Sequence, residues 1–333
     1  MEEIITLDYG SGGQKTAELI EKLLLPAFDN EALARMGDGA VLPEFSGSPV
    51  FSTDSFVVSP WKFPGGDIGK LCVCGTVNDV SMAGGIPVWM SLSLILEEGF
   101  LIDDLKEIIR SAADTAKKAG VQIVTGDTKV VERGKGDGIY INTAGIGKQR
   151  ASGLGREAIR PGDVVLISGP VGNHGAAVMM ARAGIAQEGG PVSDCGLLQR
   201  LAGKVLDAGG VRILRDPTRG GLATTLNEFT EHAPFSISLS ERQIPVEESV
   251  RASCELLGLD PLYCACEGRM IVVADSGKAD EILQIMRETE EGKNAAQIGL
   301  VEEENPGKVI LHTALGGRRA LRKLTGMMLP RIC

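Results

Sequence analysis

Four aspartates in the first half of the chain sit among glycines and small polar residues. They are Asp38 in Gly37-Asp38-Gly39-Ala40, Asp54 in Ser52-Thr53-Asp54-Ser55, Asp79 in Val77-Asn78-Asp79-Val80 and Asp127 in Thr125-Gly126-Asp127-Thr128-Lys129. Each is expected in a turn or at the end of an apolar segment, where a lone carboxylate is ordinarily a turn former. Four of them without a neighbouring histidine suit hard cations that bridge carboxylate oxygens and phosphates. Lys129 could hold a phosphate or assist a leaving group, and equally could be a solvated surface lysine. The other reactive group is the thiol of the last residue, in Pro330-Arg331-Ile332-Cys333. From Asn305 onward the chain has no Asp or Glu, while Lys308, Arg318, Arg319, Arg322, Lys323 and Arg331 are basic, a pattern that polyanions attract. Gly316-Gly317, Gly326 and Pro330 interrupt regular structure, so residues 316–333 are expected to form a mobile arm that carries Cys333 to a pocket or presents it outside. A frayed terminus with an incidental cysteine is the competing reading.

The elements that must position these groups follow from periodicity and punctuation. A short strand is expected at Ile4–Leu7, then the glycines Gly10-Ser11-Gly12-Gly13 before a helix from Gln14 to Leu25 that stops at Pro26. Gly12 and Gly13 at a helix start would suit an anion. Gln14 stands where a P-loop requires glycine, which excludes that motif. Helices are expected at Gly65–Gly85 and Asp103–Gly120, and strands at Ile86–Leu96, Val121–Thr125 and Ile139–Gly147. Asn78-Asp79 then falls late in a helix, and Asp127 just past a strand end. A polar stretch before Pro161-Gly162-Asp163 marks a domain boundary near Arg150, giving domains at 1–150 and 151–315. The second domain opens with a strand at Val164–Ser168, a glycine-rich turn holding His174, and helices at Ala176–Ala183 and Cys195–Ala208. Arg215-Asp216-Pro217-Thr218-Arg219-Gly220-Gly221 precedes a helix at Leu222–His232; it reads as an anion site or as a turn capped by Asp216 or Thr218. Glu267, between Cys266 and Gly268 at the entry to a strand, is a tuned base or a turn acid.

Composition narrows the class. At 333 residues with 43% hydrophobic content, two globular domains are expected. The net charge of −10 argues against nucleic acid, and all 44 acidic residues precede Asn305 against 28 of the 34 Lys and Arg. Met1-Glu2-Glu3 lacks a positive signal-peptide region and no apolar run could span a bilayer, so neither membrane nor export is expected and a cytoplasmic location is. Seven cysteines without regular spacing are expected to be buried reduced thiols, Cys333 excepted; Cys72 and Cys74 point to different helix faces, and Cys264 and Cys266 share one strand face without a second pair to complete a zinc site.

With the aspartates, the Arg215–Gly221 turn and the terminal Pro330-Arg331-Ile332-Cys333 assembled, the whole chain resembles the HypE family of hydrogenase maturation proteins. This family lies within an ATP-using group that includes aminoimidazole ribonucleotide synthetase, selenophosphate synthetase and thiamine-monophosphate kinase. The aspartate pattern is shared by the group, and the terminal cysteine singles out the family. The resemblance implies an α/β (α+β) fold of two domains like aminoimidazole ribonucleotide synthetase, the N-terminal domains pairing in a homodimer. It implies that HypF carbamoylates Cys333, that ATP and Mg2+ drive dehydration of the thiocarboxamide to a thiocyanate, and that the HypC–HypD complex receives the cyanide for the iron of nickel-iron hydrogenase. Asp38, Asp54, Asp79 and Asp127 would then hold magnesium, with Asn78, Gly12 and Gly13 at the nucleotide. Lys129 and Glu267 match positions near the modified cysteine, Glu267 as proton acceptor and Lys129 as charge stabiliser, roles that could be exchanged. Arg331, His174, Asp216 and Arg219 would dock the tail. The family often has Asn-Glu-Gly where Cys266-Glu267-Gly268 stands, and a histidine where Tyr9 stands. A small-molecule kinase or ligase of the same group, and a non-enzymatic carrier or scaffold that only presents Cys333 to partners, are the competing functions.

Overall fold

The computed structural model describes residues 3–37, 39–44, 46–185, 188–324 and 331–333. Asp38 and Pro330 lie outside the described residues. In the first domain, strand β1 (Pro49–Phe56) alternates half-buried and exposed positions. Helix α1 (Ile68–Met82) starts at Asp67, whose side chain accepts the N–H groups of Gly69 and Lys70. Strand β2 (Gly85–Glu97), helix α2 (Ile102–Ala119), strand β3 (Gln122–Val131) and strand β4 (Ile139–Gln149) complete the unit. Gly120 ends α2 at φ 68°, the left-handed cap that glycine supplies without strain. The sheet order is β1-β4-β2-β3; α2 crosses over between the parallel pair β2 and β3, and the other pairs are antiparallel. Helix α1 packs against α2 and the sheet, and being buried on nearly every side it lacks an amphipathic stripe. On the opposite face of the sheet Phe51 is 65% and Ile95 42% exposed.

Two expectations fail at the N-terminus. Ile4 makes only an isolated bridge to Leu101, and Leu7–Gly10 is a 3-10 turn rather than a strand end. The helical run does not stop at Pro26: Gln14–Leu19 passes through a π segment, Ile20–Leu24, into Leu25–Phe28. Pro26 is the second residue of that last segment and directly follows the π segment.

The second domain contains β5 (Val164–Ile167), α3 (Asn173–Arg182), α4 (Gln199–Asp207), β6 (Val211–Arg215), α5 (Gly221–Thr230), β7 (Ser236–Ser240), α6 (Glu248–Leu257), β8 (Ile271–Ala274), α7 (Ala279–Arg287), β9 (Ala296–Glu302), β10 (Val309–His312) and β11 (Arg318–Leu321). Its sheet order is β11-β10-β7-β9-β5-β8-β6. Strands β5 and β8 are continuous apolar runs because both faces are covered. Val165, Ile167, Ile271 and Val273 enter one core, and Val164, Leu166, Val272 and Ala274 the other. Arg318–Leu321, expected in the mobile arm, pairs with β10 as the sheet's edge strand. Its exposed arginines are the kind of charge that guards an edge. Among the described residues no helix is long and apolar enough to cross a membrane.

Candidate active site

Cys333 is inside the protein, 9% exposed, and Ile332 beside it is 3% exposed. Both join the core cluster of the first domain. Three consecutive carbonyls secure this end of the chain: that of Arg331 accepts from Arg182 Nη2 (2.7 Å), that of Ile332 from His174 Nε2 (2.8 Å) and that of Cys333 from the Val57 N–H (3.0 Å). Arg331 Nε donates back to the Val57 carbonyl (3.0 Å), while its guanidinium pairs with Asp137 and lies 5.7 Å from the Tyr140 ring centre. His174 is fully buried at the start of α3, and burial pushes its pKa down. Ser193 Oγ accepts the Cys195 N–H (3.0 Å) and lies 2.8 Å from His174 Nδ1. Its hydroxyl proton can therefore go to Nδ1, leaving the Nε2 proton for Ile332. Two of these contacts, at His174 and Arg331, involve residues expected to dock the tail. Arg182, Val57, Asp137 and Tyr140 carried no signal, since they act through the main chain or from ordinary positions on regular elements.

Glu267 is 2% exposed and its Oε1 has no hydrogen-bond partner. Burial first, then the negative charge potential of Cys195, Asp216, Asp194 and Asp54, holds its carboxyl well above the usual range. Burial, and second the Glu267 charge, pushes the Cys333 thiol up to about 12. Asp216 is 4% exposed, its pKa raised to about 7 by burial and then by Asp79. Neither it nor Thr218 caps α5: Gly220, in the left-handed region at φ 77°, is the cap residue and receives no side-chain bond. Asp54 lies within β1 rather than in a turn, and Asp79 late in α1 as expected. Asp79 Oδ2 accepts from Ser52 Oγ (2.9 Å), and Arg219 Nη2 lies 3.8 Å from Asp54. Burial raises both carboxyls, Asp54 further raising Asp79. Among the described residues no group of three His, Cys, Asp or Glu forms a ready metal cage. Mutually repelling oxygen donors nevertheless fit a hard cation that takes one or two carboxylates and completes its shell with phosphates.

Asn78 departs from its expected nucleotide role. It is fully buried; its amide nitrogen donates to the carbonyls of Gly196 (2.9 Å) and Glu267 (3.4 Å), and its oxygen accepts from the Leu198 N–H (2.8 Å). The side chain thus joins the two domains and has no polar atom left for a ligand. The second group of expected residues meets at a separate cavity of 270 Å³, lined among others by Gly12, Gly37, Gly39, Asp127 and Lys129. The Gly12 N–H is already bound by Thr16 Oγ1 (3.0 Å), and exposed Gly13 caps the helix that begins at Gln14. Asp127 and Lys129 lie within β3, not past its end, and pair at 2.6 Å, which lowers the Asp127 pKa. Across the sheet Asp54 is level with Thr143, Leu92 and Gly126, so β1 and β3 are opposite edges about 14 Å apart. Asp54 points toward α1, where it approaches Gly75, whereas Lys129 alternates to the other face. Within one chain Lys129 is therefore held on the sheet edge and the sheet face opposite those of Asp54.

Residues 36–149 match the N-terminal domain, and residues 160–312 the C-terminal domain, of AIR synthase related proteins. The carbamoyl dehydratase HypE of Cupriavidus necator is 48% identical over 332 residues, 99% of this chain and 95% of the relative. The chain belongs to the HypE family. A crystal structure of the hydrogenase maturation protein HypE in complex with ATP matches with a TM-score of 0.94 at 46% identity, over 98% of this chain and 99% of the other. A chain from a HypE–HypF complex structure matches with a TM-score of 0.80 at 45% identity, over 92% and 99%. The two-domain fold implied by the HypE resemblance is the observed one.

Proposed function

We propose that this chain uses ATP to dehydrate a carbamoyl group carried on its own Cys333, supplying cyanide for hydrogenase maturation. The observation that carries this reading is the burial of Cys333 in an interior that also holds Glu267, a carboxyl group with an unpartnered oxygen whose charge acts on the thiol. The names of its relatives supply the reaction class, and the ATP complex of a 46% identical HypE supplies the co-substrate.

An amide oxygen is a poor leaving group. Transfer of the γ-phosphoryl group of ATP to the carbamoyl oxygen, with loss of one nitrogen proton, gives an S–C(=NH)–O–phosphate and ADP. Departure of phosphate with the C–O electron pair, and loss of the second nitrogen proton, leaves S–C≡N. Glu267 accepts a nitrogen proton: a carboxylate whose pKa is raised by burial is the stronger base once ionised. Arg219, 3.8 Å from Asp54 and acting on the Cys333 sulfur, and the His174 and Arg182 donors hold the terminal residues in place. Asp54 and Asp79, with Asp38, would hold Mg2+, which when bound neutralises the triphosphate, and Asp127, like Lys129, would have to come from the partner subunit.

Lys129 completes the site if the protein is a homodimer. Edge strands β1 and β3 and the uncovered sheet face with Phe51 and Ile95 suit pairing between copies. Pairing β1 of one copy with β3 of the next would bring Lys129 of the partner subunit to the Asp54 edge as charge stabiliser. HypF is the carbamoyl donor and HypC–HypD the cyanide acceptor in this reading, and seven unpaired thiols suit the cytoplasm. The test is the intact mass of the C-terminal peptide after carbamoylation by HypF. Loss of one water from Cys333 only with Mg-ATP is the expected result, whereas a carbamoyl group that persists would leave only a carrier.

A further inference from the structure

The segment Ser193–Gly196 holds both halves of the proposed chemistry. The Asp194 side chain is fully buried. Its Oδ1 accepts the backbone N–H of His174 (3.0 Å) and of Glu267 (3.4 Å), and its Oδ2 that of Gly268 (3.2 Å); Arg269 Nε lies 3.8 Å away. His174 is the residue that grips the Ile332 carbonyl, with its ring oriented by Ser193, the neighbour of Asp194. The other side of the Glu267 peptide is fixed too, its carbonyl accepting from Gly196 N–H (3.3 Å) and Asn78 Nδ2 (3.4 Å). Gly268 has no room for a side chain, because a Cβ there would stand 1.9 Å from the Asp194 carbonyl oxygen, so the two loops pack backbone to backbone. One carboxylate thus ties the loop that receives the chain end to the loop that presents Glu267.

We propose that Asp194 is a positioning residue that couples seating of Cys333 to placement of Glu267. It makes no hydrogen bond to the thiol and acts through the three backbone N–H groups it binds in the two loops. An isosteric amide keeps one acceptor oxygen but turns the other into a donor facing N–H groups, so at least one of the three bonds becomes repulsive. Tail seating and carboxyl aim should then loosen together, while the cavity that holds Asp127 and Lys129 is untouched.

This inference rests on the dehydratase reading, and the experiment separates the two. Wild-type and Asp194→Asn protein would be carbamoylated by HypF, and loss of water from the Cys333 peptide followed by mass in single turnovers over a range of ATP concentrations. The expected result is carbamoylation at the wild-type rate or faster, an ATP concentration dependence within about twofold of wild type, and a dehydration rate constant at least about tenfold lower. A fall in carbamoylation and in ATP response together, the pattern of general unfolding, would overturn the specific role, as would an unchanged rate constant. No water loss in the wild type would instead sink the dehydratase reading. If Asp194→Asn does not fold, Asp194→Ser, which leaves a small hydroxyl acceptor, is measured in the same way with the same expectation.

Discussion

Burial, and second the Glu267 charge, discourages ionisation of the Cys333 thiol, so the bare thiol is unreactive when seated. A carbamoylated sulfur has no proton to lose and escapes that restraint, which leaves Glu267 to act on nitrogen. Glu267→Gln should therefore accept the carbamoyl group normally yet dehydrate it at least about a hundredfold more slowly, measured by peptide mass. Asp216 permits a sharper test. Folded, it stays protonated up to about pH 7, and unfolded only to about pH 4, so between these values the folded state binds more protons and stability falls as pH rises. Asp216→Asn lacks this loss. Its stability advantage over wild type in urea should grow by up to about 3 kcal/mol from about pH 5 to about pH 7.5 without nucleotide. Reactive side chains in odd settings, such as Cys333, Glu267 and Asp216, were legible in the sequence. Asp194 and Arg182 were not, because they address backbone groups that any residue would offer.

At the level of elements, both edge strands of the first sheet were misread at their polar residues. Ser52-Thr53-Asp54-Ser55 and Gly126-Asp127-Thr128 look like turns, yet each lies within a strand whose one face is open. The central strands β5 and β8 were plain because burial on both faces leaves only apolar residues. The start of α5 was recognised as a site, but its cause is steric rather than a side-chain cap. A Cβ on Gly221 would stand 2.5 Å from the Cys264 carbonyl oxygen, and its φ is 60°. Gly221→Ala should lower stability by more than about 2 kcal/mol in denaturant melts, and should displace the loop that leads to Glu267.

On the scale of the whole molecule, Lys129 lies on the sheet edge opposite Asp54, so the proposed reaction relies on the proposed homodimer to complete the site. Mixing subunits tests it. Lys129→Ala and Cys333→Ala proteins should each be inactive, and unfolding and refolding them together should restore about a quarter of wild-type dehydration through mixed dimers. Activity that stays absent in verified mixed dimers would exclude a lysine supplied across the interface. The seated end of the chain has a final consequence. In the proposed reaction substrate and catalyst are one polypeptide, so Cys333 would meet its pocket at an effective concentration set by the covalent connection, on the order of millimolar. The pocket needs only modest affinity to be filled, and must have no more if the cysteine is to leave for its partners; a separate peptide ending in Pro-Arg-Ile-Cys should therefore compete poorly, even though every contact it could make is present.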